Sequence, residues 1–262
     1  MILRLRQICL VARHLEPVRD DLVEVFGLAV CYRDPHVAPF GLHNSLLPVG
    51  TSFIEIVAPT EERTAAGRYL DRRGGDGGYM TILNSDEINS WRTHISAIGV
   101  REATFLDYDG FNAIQMHPRD TGGSILEINR SPGGEDLLGN YVPAGPDWQN
   151  YRRTSRVRGI VGAELQGDNP EELARRWAAI LKRKVSKASN AEWHLAVDNA
   201  TIRFVPARDG RGEGLGGIDV EVLDPGAINR VALDRGLSVE GNTVAIGGVR
   251  FNLVAERAIT HR

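Results

Sequence analysis

Two glutamates stand in strand-like segments that are otherwise apolar: Glu55 in Phe53-Ile54-Glu55-Ile56-Val57, and Glu127 in Ser124-Ile125-Leu126-Glu127-Ile128. Strand alternation puts Glu55 on one face with Phe53 and Val57, and Ile54 and Ile56 on the other. An unpaired charge is too costly to bury, so each glutamate either pairs with an arginine or lines a wet cavity. In a cavity it can take a proton or hold a hard cation. Gln115 and His117 share a face, which lets Gln115 approach Glu127. His117 ends its strand just before a turn, and reads equally as a backbone-bonded turn residue or a rim contact. His43 shares the face of Glu55 only if the loop at 48–51 has an odd number of residues; a two- or four-residue loop brings Asn44 there instead. Gln7 is a lone amide in a strand, either a satisfied polar residue or a site residue.

The elements that must position these residues recur along the chain. Residues 3–11 alternate as a strand. A helix opened by His14-Leu15-Glu16-Pro17 follows, with Val18, Leu22, Val25 and Phe26 as its apolar stripe and Gly27 at its end. Strands at 42–47 and 52–58 complete the unit. A second copy has a strand at 79–83, a helix at 86–98 with Ile88, Trp91, Ile95 and Ile98 on one face, and strands at 103–107, 111–117 and 124–129. A third starts at Gly159, with Asp168 as helix N-cap ahead of Pro170 and strands at 193–197 and 201–205. The fourth runs over 217–254. Four βαβββ units predict an α+β fold: paired units forming two curved mixed sheets. Residues 1–130 form the first half, with the candidate site, and residues 157–262 a degenerate second half. Residues 131–156, rich in Gly, Pro and Asn, form a linker whose Tyr141, Trp148 and Tyr151 dock on a surface.

Composition narrows the function classes. The net charge of −3 over 262 residues gives no electrostatic footprint for nucleic acid. No apolar run approaches the ~18 residues of a membrane span. Two cysteines without metal spacing, and no secretion signal, imply a cytoplasmic protein. Gly74-Gly75-Asp76-Gly77-Gly78 precedes a strand and not a helix, so it is no phosphate loop. Arg72-Arg73 and Arg152-Arg153 read as solvated or interdomain charges.

Paired βαβββ units in this order resemble the vicinal oxygen chelate superfamily, which includes glyoxalase I, methylmalonyl-CoA epimerase, extradiol dioxygenases and bleomycin resistance proteins. The local matches are His117-Pro118-Arg119-Asp120-Thr121-Gly122-Gly123 with the strand after it, and Leu47-Pro48-Val49-Gly50-Thr51 with its own. The resemblance implies a cup of two units that holds one divalent metal (Zn, Ni, Mn, Co or Fe) between the first and last strand of each. Its ligand positions fall on Gln7, Glu55 and Glu127, and the fourth on Met80, or Tyr79 if the register slips by one. Glu55 and Glu127 are the catalytic candidates; His43, Tyr79, Met80, Gln115 and His117 are the substrate-binding ones. The equivalent positions of the second half fall on Val161, Arg203, Ile218 and Asn252, which cannot hold a metal. The resemblance thus implies a metal-dependent isomerase, lyase or epimerase acting on a small carbonyl compound, as a monomer or homodimer. The alternative is a metal-free small-molecule binder in which both glutamates pair with arginines.

Overall fold

The computed structural model describes residues 1–256. The first half contains β1 (Arg4–Val11), α1 (Leu15–Phe26), β2 (Leu42–Val49), β3 (Ser52–Pro59), α2 (Ala65–Arg73), β4 (Gly77–Asn84), α3 (Ile88–Ala97), β5 (Glu102–Tyr108), β6 (Phe111–Met116) and β7 (Ile125–Arg130). They form a seven-stranded sheet in the order β2-β3-β1-β4-β7-β6-β5. In each unit the first strand pairs parallel with the last (β1 with β3, β4 with β7), and the units meet along antiparallel β1 and β4. The opening hairpin strand of the first unit is reduced to one bridge, Tyr32 to Leu46.

The second half holds β8 (Val157–Gly167), α4 (Pro170–Leu181), β9 (Val185–Lys187), β10 (Trp193–Val197), β11 (Ala200–Pro206), β12 (Gly214–Val222), α5 (Pro225–Asp234), β13 (Val239–Glu240), β14 (Thr243–Ile246) and β15 (Val249–Ala255). It repeats the plan in eight strands, β13-β14-β15-β12-β8-β11-β10-β9. The fold is therefore α+β, two curved mixed sheets built from repeated units. The N-cap of α4 is Asn169, whose Oδ1 accepts from the Glu172 backbone N–H, rather than Asp168. Ile98 follows the last turn of α3 and is exposed, outside the apolar stripe.

The apolar side of each strand packs against the helices. Ile8, Leu10, Ile54, Ile56, Leu126 and Ile128 join Leu22 and Phe26 of α1, Trp91 of α3 and Trp177 of α4 in one continuous cluster that spans both halves. That burial supplies the main driving force. The opposite, concave face of the first sheet has its own smaller cluster: Cys9, Val11, Val57, Tyr79, Met80 and Ile82, roofed by Ala66, Tyr69 and Leu70 of α2. Helix α2 belongs to neither repeat. Thr64 caps it through the Gly67 N–H, and Gly74 ends it in the left-handed region.

The second half grips this end of the cup. Arg73 donates to the carbonyls of Arg211 and Glu213 at 2.6 and 2.7 Å, Arg211 donates to the Asp76 carbonyl at 2.8 Å, and the Trp177 indole donates to the Thr121 carbonyl at 2.9 Å. Strand β4 lies so close to β12 that a Cβ on Gly78 would come within 2.5 Å of the Leu215 carbonyl oxygen. Backbone cannot give way there as a side chain can. Gly78→Ala is expected to destabilise the protein by about 1–3 kcal/mol, read as a lower urea midpoint.

Candidate functional site

The hairpin between β2 and β3 fixes which residues enter the cup. Val49 pairs with Ser52, so the loop has two residues, and Asn44 is brought to the concave face. His43 is consequently exposed on the opposite side and does not line the cavity, which corrects its assignment as a binding residue. A bulge does the same work in β4. Cys9 pairs with Met80 and Leu10 with Gly78, which leaves Tyr79 out of register, so Tyr79 and Met80 both join the concave cluster.

The register also locates the four symmetry-related positions. Glu55 lies beside Cys9, two residues after Gln7, and Glu127 lies beside Ile82, two residues after Met80. Met80 is therefore the counterpart of Gln7. In the second half the parallel β8–β11 and β12–β15 pairings set the register one residue away from the sequence expectation. Glu164 lies beside Arg203 and Asp219 beside Asn252, so Gly162 and Gly217, not Val161 and Ile218, occupy the first-strand positions. Arg203 contacts Asp219 at 2.6 Å and Glu164 at 2.7 Å, and Arg250 contacts Glu164 at 2.7 Å. Two arginines fill the place where the first half keeps a cavity.

In the first half, among the described residues, no arginine answers the two carboxylates. Glu55 Oε1 accepts from Asn44 Nδ2 at 2.6 Å and its Oε2 accepts from Gln7 Nε2 at 2.8 Å. Glu127 Oε1 accepts from Asn129 Nδ2 at 2.9 Å and its Oε2 accepts from Gln115 Nε2 at 2.9 Å. One phenol joins the two arms: the Tyr141 hydroxyl donates to Gln7 Oε1 at 2.8 Å and accepts from Asn129 Nδ2 at 3.2 Å. All the polar partners are neutral. Burial therefore dominates, pushing the Glu55 carboxyl up to about 7 against a donated hydrogen bond from Asn44 that lowers it. Burial raises Glu127 as well, opposed by Asn129 and Gln115.

Tyr141 comes from the connector between the halves. Its ring stacks on Phe53 with centroids 4.8 Å apart, and Trp148 meets Phe53 edge-on at the same distance. The buried Arg6 guanidinium lies 5.1 to 5.6 Å from the centres of these three rings and donates to the Leu137 carbonyl at 2.9 Å. Tyr141 and Trp148 thus dock as the sequence suggested, whereas Tyr151 stays exposed.

Above the carboxylates opens a cavity of about 900 Å³. Gln7, Glu55, Glu127, Gln115, Tyr79, Met80 and His117 all line it, so the structure gathers every sequence-derived candidate except His43. His117 is also bonded to its own turn, its Nδ1 accepting from the Arg119 N–H at 3.2 Å. Tyr79 packs edge-on against Tyr69 at 5.0 Å, and burial raises its phenol, so it serves as wall. The sequence did not assign Tyr141, Asn129, Asp34, His36 or Tyr108 to the site, to which they also belong. Asn129 was within reach, being two residues beyond Glu127 on the same face.

The chain matches the model of the glyoxalase-like domain over residues 8–181. It belongs to that family. With its repeated βαβββ units it is a member of the vicinal oxygen chelate superfamily. No curated protein matches it. Among solved structures it is similar to a hypothetical protein from Staphylococcus aureus, with a TM-score of 0.68 at 10% identity, covering 98% of this chain and 100% of that one. It is also similar to a mutant of 4-hydroxymandelate synthase from Streptomyces coelicolor, with a TM-score of 0.67 at 12% identity, covering 97% and 92%. Both likenesses show the four-unit fold over nearly the whole glyoxalase-like chain.

The raised Glu55 carboxyl has a consequence for stability. Its folded value, about 7, lies above the ordinary glutamate value of 4.5 that holds in the unfolded chain. The proton is bound more tightly in the folded state, so the stability it contributes is full below pH ~4.5 and lost as pH rises through ~7. Wild-type unfolding free energy is expected to fall between pH 5 and 8 by up to about 3 kcal/mol, and to fall less in Glu55→Gln, as read by urea titration.

Proposed function

We propose that this glyoxalase-like protein is an isomerase, lyase or epimerase that moves a proton at a carbon next to a carbonyl in a small substrate. The observation that carries this reading is the pair of buried carboxylates, one from each unit, at the floor of one cavity, with no positive charge beside either among the described residues. A carboxyl held near neutrality is suited to take a proton from carbon and return it. Glu55 fills that role, with Asn44 and Gln7 holding its two oxygens in place. Glu127, on the pseudo-symmetric arm, is the second acid–base group, and the apolar walls formed by Met80, Ile82 and Val57 exclude water from the reacting carbon. The alternative of a metal-free binder called for arginines on both glutamates, and among the described residues neither has one.

The donor set also suits a divalent cation. Each carboxylate oxygen has accepted a single N–H, which leaves a second lone pair free. Gln7 would contribute its amide oxygen after turning its amide over, and Met80 leaves the fourth position to water or substrate. Among the described residues no three His, Cys, Asp or Glu side chains form a metal-holding group, so the amide of Gln7 is essential to such a site. Gln7, Glu55 and Glu127 would hold the ion, which when bound supplies Lewis-acid polarisation of the substrate oxygen.

Two measurements test this reading. Protein incubated with Mn, Ni, Co or Zn and desalted is expected to retain about one equivalent by mass spectrometry, and Glu127→Ala is expected to retain none. Deuterium uptake from D2O into lactoylglutathione or an acyl-CoA is expected with wild type and lost in Glu55→Gln. Uptake that persists at the wild-type rate in that variant would remove Glu55 from the chemistry.

A further inference from the structure

A second acid–base pair faces the same cavity. Asp34 caps a short 3-10 helix, Pro35–Phe40, that precedes β2. Its Oδ1 accepts from the His36 backbone N–H at 3.0 Å and lies 2.7 Å from the ring Nδ1 of His36. An ionised carboxylate is only an acceptor, so the ring proton must sit on Nδ1. The lone pair of the neutral imidazole then belongs to Nε2. Among the described residues Nε2 has no hydrogen-bond partner; the nearest charge is the exposed Asp109 carboxylate, 3.9 Å away. The imidazole is held flat against Tyr108, with ring centroids 3.8 Å apart and planes 15° apart. Asp34 is buried, and both His36 and Tyr108 line the cavity.

The pair is wired to Glu55. Asn44 accepts from the Asp34 backbone N–H at 2.8 Å through its Oδ1, and through Nδ2 donates to Glu55 at 2.6 Å. One amide therefore positions both groups. A histidine serving only as a residue of the 3-10 helix would need neither a buried carboxylate on its Nδ1 nor an aromatic clamp on its ring.

We propose that Asp34 and His36 form a second proton-handling pair of this cavity, His36 serving the substrate oxygens through Nε2 while Glu55 serves the carbons. This rests on the proton-transfer reading given above for Glu55. In the forward half, the Glu55 carboxylate takes the proton from the hydroxyl-bearing carbon. That C–H electron pair becomes the C=C bond and the carbonyl π pair moves to oxygen, giving an enediolate. In the second half, His36 Nε2 takes the proton from the remaining hydroxyl and passes it to the former carbonyl oxygen, the oxygen left behind closes the new C=O bond, and the C=C pair takes the Glu55 proton at the former carbonyl carbon. The carbonyl has moved by one carbon, and both residues regain their starting state. Asp34 is a positioning residue, fixing the tautomer and ring orientation.

The probe is benzohydroxamate, whose two oxygens on adjacent atoms mimic an enediol and whose ring suits apolar walls; benzamide, which lacks the second oxygen, is its control. Both are titrated calorimetrically in the presence of EDTA, so that no metal contributes. Wild type is expected to bind the hydroxamate, with a loss of about tenfold or more in His36→Gln and Asp34→Asn, the scale of one hydrogen bond. Benzamide affinity is expected to stay unchanged, and the 15N signal of His36 Nε2 to shift on hydroxamate binding. Equal loss for both probes would make His36 a wall residue and overturn the proposal. Loss in Glu55→Gln but not in His36→Gln would overturn it while leaving Glu55 its role. Affinity insensitive to all three variants, or no saturable binding, would sink the dyad, and deuterium uptake would still decide Glu55 independently.

Discussion

Two carboxylates buried without a counter-charge set the terms for everything around them. Each would be prohibitively costly alone, and the fold meets that cost with neutral donors: two side-chain amides on Glu55, two on Glu127, and a phenol that ties the arms together. Neutral donors stabilise an anion less than arginine does, so the groups stay easy to protonate. The second half shows the other solution. There Glu164 is held by Arg203 and Arg250, and its carboxyl is lowered rather than raised. One architecture, used twice, thus yields a pair of protonatable carboxyls in one sheet and an ionic cluster in the other.

The protein keeps its concave face open by placing rigidity elsewhere. The apolar cluster runs through the helices of both halves, and the concave side of the first sheet carries only a small cluster under α2. Contacts from β12 and the segment before it fix the end of α2, and Trp177 fixes the turn at Thr121. The walls of the cavity are anchored from outside, which lets its floor consist of polar groups that contribute little packing.

Much of this was legible in the residues. A glutamate alone among Ile and Phe announces itself, and the helix stripes with their terminal glycines reveal the repeat. What escaped was non-local. Tyr141 lies 134 positions from its acceptor Gln7, and no periodicity connects them. A bulge in β4 placed Tyr79 beside Met80 in the cup, and the register of two parallel strand pairs displaced Val161 and Ile218 from the positions expected for them. His43 and Asn44 were separated only by the length of a hairpin loop. Asp34 and His36 sit in a segment with no strand or helix pattern to flag them. Helix α2 was hidden by Gly67 and a surface dominated by arginine.

The connector after β7 changes what counts as a self-sufficient piece. By repeat boundaries the first cup ends near residue 130, yet its central hydroxyl arrives at Tyr141 and the aromatic box that seats it closes only with Trp148. A fragment cut at the repeat boundary would keep every strand while losing the group that joins its two acidic arms. The first half is therefore not a transferable module at its own boundary: inheritance of its chemistry requires inheriting the passage that leads to its neighbour.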